Sequence, residues 1–137
     1  MKIGIISSMH HSEEMIKVAE ELRRLGHDPF MSKFVHAFIG KDDLTKEQIK
    51  LDQKYNQDAI RDFWYAMQNA DAVLVLNLDR KGIKNYIGGN TLMEIGFAHV
   101  LGQKIYLYNP IPDIPFYDTE IKATNPIIIN GDLALIV

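Results

Sequence analysis

The sequence predicts a single α/β domain built on a doubly wound sheet of about five parallel strands, and three observations carry that expectation. Lys2–Ser7 is a short apolar, β-branched run followed directly by a helical pattern, which makes a first βα unit. Ala72-Val73-Leu74-Val75-Leu76-Asn77-Leu78 is nearly continuous apolar sequence, as expected for a central strand covered on both faces. Strand patterns then keep alternating with helix patterns, which implies parallel pairing through right-handed crossovers.

After the first strand, Ser12 can cap a helix whose apolar positions Met15, Ile16, Val18, Ala19 and Leu22 recur at three- and four-residue spacings until Gly26 ends it. A second strand is expected near Pro29–Phe34, then a loop over 35–44. Thr45–Asn69 reads as a long helix opened by the capping box Thr45-Lys46-Glu47-Gln48, with a break near Tyr55–Asp58. Ile49, Leu51, Ile60, Phe63, Trp64 and Met67 are its apolar positions. The central strand at 72–78 follows, then a helix running to Gly102, and a strand at 104–108. A loop holding Pro110, Pro112 and Pro115 leads to a last strand at 126–129. Five such strands suggest a flavodoxin-like or Rossmann-like layout across residues 1–137.

Composition removes several function classes. The 137 residues are 47% hydrophobic, which suits one domain and leaves no room for a second. Fifteen basic and eighteen acidic residues give a net charge of −3 without a basic stripe, so a nucleic acid polymer is not an expected partner. With no cysteine there is neither a disulfide nor a thiolate centre. The N-terminus runs straight into a strand without a signal-peptide pattern, and no apolar run approaches the ~18 residues of a membrane span, so a cytoplasmic protein without a membrane partner is expected. His10 and His11 are adjacent, a spacing that rarely serves one metal, and no metal or other cofactor is expected.

The chemistry concentrates in Tyr86-Ile87-Gly88-Gly89-Asn90-Thr91-Leu92-Met93-Glu94, a glycine turn that opens a helix. Two glycines allow a ligand to approach the main chain. Asn90 or Thr91 can cap the helix, whose free amides and positive dipole end favour an anion or a hydroxyl-rich sugar. Glu94, one turn in, aims a rigidly mounted carboxylate at the same place. Thr91-Leu92-Met93-Glu94 also fits a capping box, in which Thr and Glu merely satisfy helix-end amides. In open sheets ligands sit beyond the carboxyl ends of strands, which singles out the loops 7–11, 79–90 and 109–118.

Taken together, Asn69-Ala70-Asp71 before the apolar strand, Gly89-Asn90-Thr91-Leu92-Met93-Glu94-Ile95-Gly96-Phe97-Ala98, and Leu101-Gly102-Gln103 before the next strand resemble the nucleoside 2-deoxyribosyltransferase superfamily, which includes the 2′-deoxynucleoside 5′-phosphate N-hydrolases. The likeness covers roughly half the chain. It implies a nucleoside deoxyribosyltransferase-like domain that cleaves the N-glycosidic bond of a (deoxy)nucleoside or its 5′-monophosphate. Glu94 would attack C1′ to form a glycosyl ester, and the sugar would pass to water or another nucleobase.

For the second acid there are two candidates. Asp62 lies one residue from the position of the family's base-contacting aspartate, which Phe63 occupies, and Asp79 stands at the end of the central strand. Asp71 reads as structural. Six residues before Glu94 the transferases carry aspartate and the phosphate hydrolases serine; here it is Gly88, so Gly88, Gly89, Asn90 and Thr91 are the expected sugar or phosphate contacts. Ser7, Ser8, Tyr86 and Asn109 flank the same rim as substrate contacts, while Tyr55, Trp64 and Tyr65 could stack on a base but, at helical spacing, read first as core aromatics. The resemblance further implies a homo-oligomer, a dimer or higher, with shared sites. Two alternatives accompany this reading: a non-catalytic nucleotide-binding or sensing module of the same superfamily, and a phosphoribohydrolase of the cytokinin-activating type, whose PGGxGTxxE signature residues 88–94 partly match. A bare flavin-binding domain is disfavoured by the short first loop.

Overall fold

The central strand decides the architecture. In the computed structural model, which describes residues 1–137, it is β3 (Ala72–Val75), and every residue from Ala72 to Asn77 is buried. Its neighbours are β1 (Lys2–Ile6) on one side and β4 (Lys104–Leu107) on the other, with β2 (Asp28–Phe30) and β5 (Ile127–Ile128) at the edges. All four pairings are parallel, so the sheet has the order β2-β1-β3-β4-β5, the flavodoxin-like arrangement.

Alternation along β3 sorts the core into two layers. Ala72, Leu74 and Leu76 face Met15, Ala19 and Leu22 of α1 (Ser12–Arg24), joined by Ile129 and Ile136 from the C-terminal tail. Val73 and Val75 face the other layer, where α3 (Ala59–Ala66), α4 (Gly89–Val100) and α5 (Asp118–Ala123) contribute Phe63, Ile95, Ala98 and Ile121. Full burial of such side chains contributes roughly 1.5–3 kcal/mol each. The tail substitutes for a covering helix on the α1 side, pinned by Lys104 Nζ and the Tyr106 hydroxyl donating to the Val137 carbonyl.

Helix ends follow local chemistry. α1 and α4 each stop at a left-handed glycine, Gly26 (φ 90°) and Gly102 (φ 71°), and the next amide reaches back, from His27 to Leu22 and from Gln103 to Ala98. Asp71 is structural, as read: its carboxylate accepts the Lys2 amide at 2.8 Å, and its own backbone links β1 to β4.

Several expectations need correcting. The helical stretch over 45–69 does break within Tyr55–Asp58, into α2 (Asp43–Asn56) and α3, where Asp58 takes a left-handed φ of 50°, but its start was misplaced. Its cap is Asp42, whose carboxylate accepts the Thr45 amide at 2.7 Å, rather than the box at 45–48. α2 also buries Lys46 and Gln53 instead of an apolar stripe, and leaves Leu51 exposed, because it packs on α3 and loops and not on the sheet. The second strand ends at Phe30, the central strand stops three residues short at Val75 although its burial continues, and α5 lies inside the segment read as loop and strand approach. Ser12 is the first residue of α1 rather than its cap, its hydroxyl donating to the Met9 carbonyl at 2.5 Å. Tyr55 and Tyr65 are exposed; only Trp64 packs, edge-on against Phe97 at 5.2 Å.

No helix is long and apolar enough to cross a membrane. Because β3 is the shared floor of both core layers, Leu74→Ala is expected to cost roughly 2–5 kcal/mol in urea unfolding. Leu44→Ala, at a 71% exposed position, should stay within about 0.5 kcal/mol of the parent.

Candidate functional site

Beyond the carboxyl ends of β1 and β3 the chain opens into a cleft of about 170 Å³. The chain after β1 supplies Ser7 and Ser8, and the chain after β3 supplies Arg80, Lys81, Tyr86 and the turn Gly88-Gly89-Asn90-Thr91. Glu94 lines it from the second turn of α4. The remaining wall is α2 and α3, with Lys50, Gln53, Lys54, Ile60 and Phe63.

The glycine turn is set for an incoming ligand. α4 begins at Gly89 with Gly88 at the cap position, and no side chain caps it. The first intrahelical bond from this end runs from the Leu92 amide to the Gly88 carbonyl at 2.9 Å, which leaves the amides of Gly89, Asn90 and Thr91 without helical acceptors. The helix thus starts two residues before Thr91, so Thr91 and Glu94 do not form a capping box, and neither Asn90 nor Thr91 is the cap. Tyr86 lies over Gly88: a Cβ built there would stand 3.1 Å from the tyrosine oxygen. The Tyr117 hydroxyl donates to the Ile87 carbonyl and holds the approach to the turn from below.

Glu94 is only 6% exposed, yet it makes no hydrogen bond and no ion pair. Burial alone pushes its carboxyl from an ordinary 4.5 up to about 8, so the group is neutral at pH 7. A carboxyl with nothing to bond, facing a cleft, is a group awaiting a partner.

The serines divide their roles. Ser7 Oγ donates to the Leu76 carbonyl at 2.7 Å, so towards a ligand it is left to accept. Ser8 Oγ accepts the His10 amide at 3.4 Å, capping the turn Met9–His11, and keeps its proton free to donate.

α2 reaches the cleft because polar contacts tie it to the segment after β1. The buried His10 ring sets Nδ1 3.2 Å from Asp43 and Nε2 3.2 Å from Glu47. Lys46 Nζ donates to the His10 carbonyl at 3.1 Å and to Glu13 at 2.9 Å, an ion pair that holds Glu13 at about 2. Lys50 bonds Glu47, and with His10 it depresses that carboxyl to about 2. His11, on the same segment, is shifted downward chiefly by burial and also by nearby Arg80.

Of the residues read from sequence, Ser7, Ser8, Tyr86, Gly88, Gly89, Asn90, Thr91 and Glu94 come together in this cleft. Asp62, Asp79 and Asn109 do not. Asp62 turns towards Lys33, 3.1 Å away, and Asp79 accepts the Asn85 amide at 2.9 Å inside its own loop. Asn109 is locked to Asn77: its backbone amide donates to Asn77 Oδ1 at 2.8 Å, and its side chain donates to the Asn77 carbonyl at 3.0 Å. The loop 109–118 therefore contributes nothing to the lining. No second acidic side chain reaches the cleft, and no three His, Cys, Asp or Glu side chains cluster as a metal site.

The cations were missed by the sequence reading. Lys50, Gln53 and Lys54 recur at three- and four-residue spacing on one face of α2, and Arg80-Lys81 shares a loop with the glycine turn. That spacing was visible, but nothing local says which way α2 faces.

No protein-family model, no curated protein and no solved structure matches the chain.

A raised carboxyl carries a sign for stability. The contribution of neutral Glu94 is fully present below about pH 4.5 and is lost as pH climbs to about 8, because the unfolded chain ionises there while the folded chain resists. Glu94→Gln removes that penalty. Its advantage over the parent in urea unfolding should be small near pH 4.5 and grow to on the order of 4 kcal/mol by pH 8. An advantage that does not change with pH would show the carboxyl to be solvated.

Proposed function

We propose that the protein cleaves the N-glycosidic bond of a (deoxy)nucleoside or its 5′-phosphate through a covalent glycosyl ester on Glu94, as a member of the nucleoside 2-deoxyribosyltransferase superfamily. The observation that carries the reading is the unpartnered Glu94 carboxyl, buried at the start of α4 and facing the cleft.

In the first step an ionised Glu94 oxygen bonds to C1′ as the C1′–N bond breaks. The bonding pair leaves with the nucleobase nitrogen, which takes up a proton from solvent. In the second step water attacks C1′, the ester C–O bond breaks, Glu94 regains its charge and a proton goes to solvent. A second nucleobase in place of water would make the reaction a transfer. The transition state is oxocarbenium-like. Burial makes the ionised carboxylate costly in the free protein, and the positive charge developing at C1′ relieves that cost at the moment of bond breaking. Sugar hydroxyls can donate to Glu94, Ser7 can accept from them, and the free amides at Gly89–Thr91 suit a 5′-phosphate.

One observation favours a second reading, a nucleotide-binding module without turnover: no carboxylate other than Glu94 lines the cleft to protonate a departing base.

The two separate on a chromatographic panel of nucleosides and 5′-phosphates. Turnover predicts free base from the parent protein and at least ~100-fold less from Glu94→Gln or Glu94→Ala. Its kcat/KM should rise with pH and level off above about 8, since the nucleophile is the ionised form. Normal ligand binding with no base released would leave only the binding module; a rate that falls above pH 8 would make Glu94 an acid and not a nucleophile.

A further inference from the structure

The same cleft carries more positive charge than one phosphate group uses. Of its four cations, Lys50 is engaged by Glu47 at 2.9 Å, whereas Lys54, Arg80 and Lys81 have no acidic partner within 4.0 Å. They stand on separate elements, Lys54 on α2 and the other two on the loop between β3 and α4, the loop that leads into the free α4 amides.

That loop is built rather than slack. Asp79 accepts the Asn85 amide at 2.9 Å, and Arg80 and Ile83 exchange two backbone bonds at 3.1 and 2.9 Å. The Tyr86 amide then returns to the Leu78 carbonyl at 3.1 Å. Lys81 sits at the bend with a left-handed φ of 54°. The backbone is thus fixed at both ends of the pair Arg80-Lys81, which limits the ordering cost of gripping an anion.

Donor counting sets the size of the anion. The terminal oxygens of one phosphoryl group can be filled by the amides of Gly89, Asn90 and Thr91 together with the Ser8 hydroxyl. Three cations then remain, and a monophosphate brings only about −1.5 to −2 charge. The unpartnered, buried Glu94 is a second and independent sign that this place receives a ligand, and being neutral at pH 7 it does not repel an anion.

We infer that the cleft takes a nucleotide bearing a 5′-diphosphate or longer chain, its first phosphoryl group on the α4 amides and the next between Lys54 and Arg80-Lys81. This rests on the proposed function only for the sugar seated at Glu94. The phosphate grip stands on the cations and amides themselves.

The test uses inorganic phosphate and pyrophosphate, followed by calorimetry on the whole chain, and then a nucleoside with its mono- and diphosphates. Pyrophosphate should bind at least ~10-fold tighter than phosphate, the step expected when further charge-assisted contacts form. Lys54→Ala and the pair Arg80→Ala/Lys81→Ala should each remove most of that preference, while Lys122→Ala on α5 leaves it intact. Equal affinities, or a preference that survives in the cleft variants, overturns the inference. Because all these positions are at least partly exposed, the variants should fold, and Lys54→Gln repeats the test with more of the side chain kept. A pyrophosphate preference with no base released from any nucleotide would sink the glycosidase reading and leave this one standing. Base released equally well from nucleoside, monophosphate and diphosphate would do the reverse.

Discussion

The parallel pairing of β1 with β3 is the constraint on which the rest depends. Its register, Ile3 with Ala72 through Ile6 with Val75, continues past the strands: the Leu76 amide donates to the Ile6 carbonyl at 2.8 Å, and Ser7 Oγ closes on the Leu76 carbonyl at 2.7 Å. Only then do the two chains part. The chain after β1 turns through Ser8 and Met9 into α1, which returns to β2 on one side. The chain after β3 runs through 79–88 into α4, which returns to β4 on the other. Opposite departures leave a gap at the switch point, and neither loop can fill it without breaking the ladder beneath. The cleft is a consequence of strand order, and Ser7 marks the point where pairing ends and the cleft begins.

Onto this fixed rim the sequence mounts a group that folding does not want. A glutamine or leucine at position 94 would suit a buried helix face better than a carboxyl whose ionisation is driven up to about 8 by burial. Nearby acids were placed otherwise: Glu13 has Lys46, Glu47 has Lys50 and His10, and Asp62 has Lys33. Among the acids Glu94 alone is buried and left without a partner. A local choice that contradicts the surrounding packing, where the neighbouring acids are all paired, points to use rather than to stability.

How far the sequence foretold this varies with the physics involved. The sheet was legible because β3, β1 and β4 are apolar runs whose meaning does not depend on anything distant, and the first helix because its stripe ends at Gly26. Glu94 and the glycine turn were legible because their effect is local to one helix start. The helix start itself was misplaced, since Thr91-Leu92-Met93-Glu94 satisfies a capping rule that the real boundary at Gly89 makes irrelevant. The α2 wall was not legible. Its buried positions are Lys46 and Gln53; Lys46 is seated by a histidine 36 residues upstream, Gln53 donates to the Phe34 carbonyl, and the contacts between His10, Asp43 and Glu47 are ones no periodicity encodes. Asp79 was misread for a related reason. A carboxylate at a strand end can face the cleft or fold back on its own loop, and the Asn85 amide decides the matter.

That fold-back links the two proposals. On the proposed reading Glu94 must ionise during the reaction, and an uncompensated phosphate nearby would oppose it, as like charges in a shared low-dielectric site do. Cations gripping the phosphates cancel that opposition. Arg80 and Lys81 are held there by the loop that Asp79 clasps, so the residue first considered as an acid for the departing base contributes instead to where positive charge sits. The same arrangement bears on the missing proton donor. A cleft with one carboxyl and several cations is poorly built to protonate a strongly basic leaving group, and best built for a bond that breaks when the sugar cation is stabilised, which is the case a 2-deoxyribose presents. Charge placement, more than acid catalysis, is then the means by which this small domain would loosen a glycosidic bond.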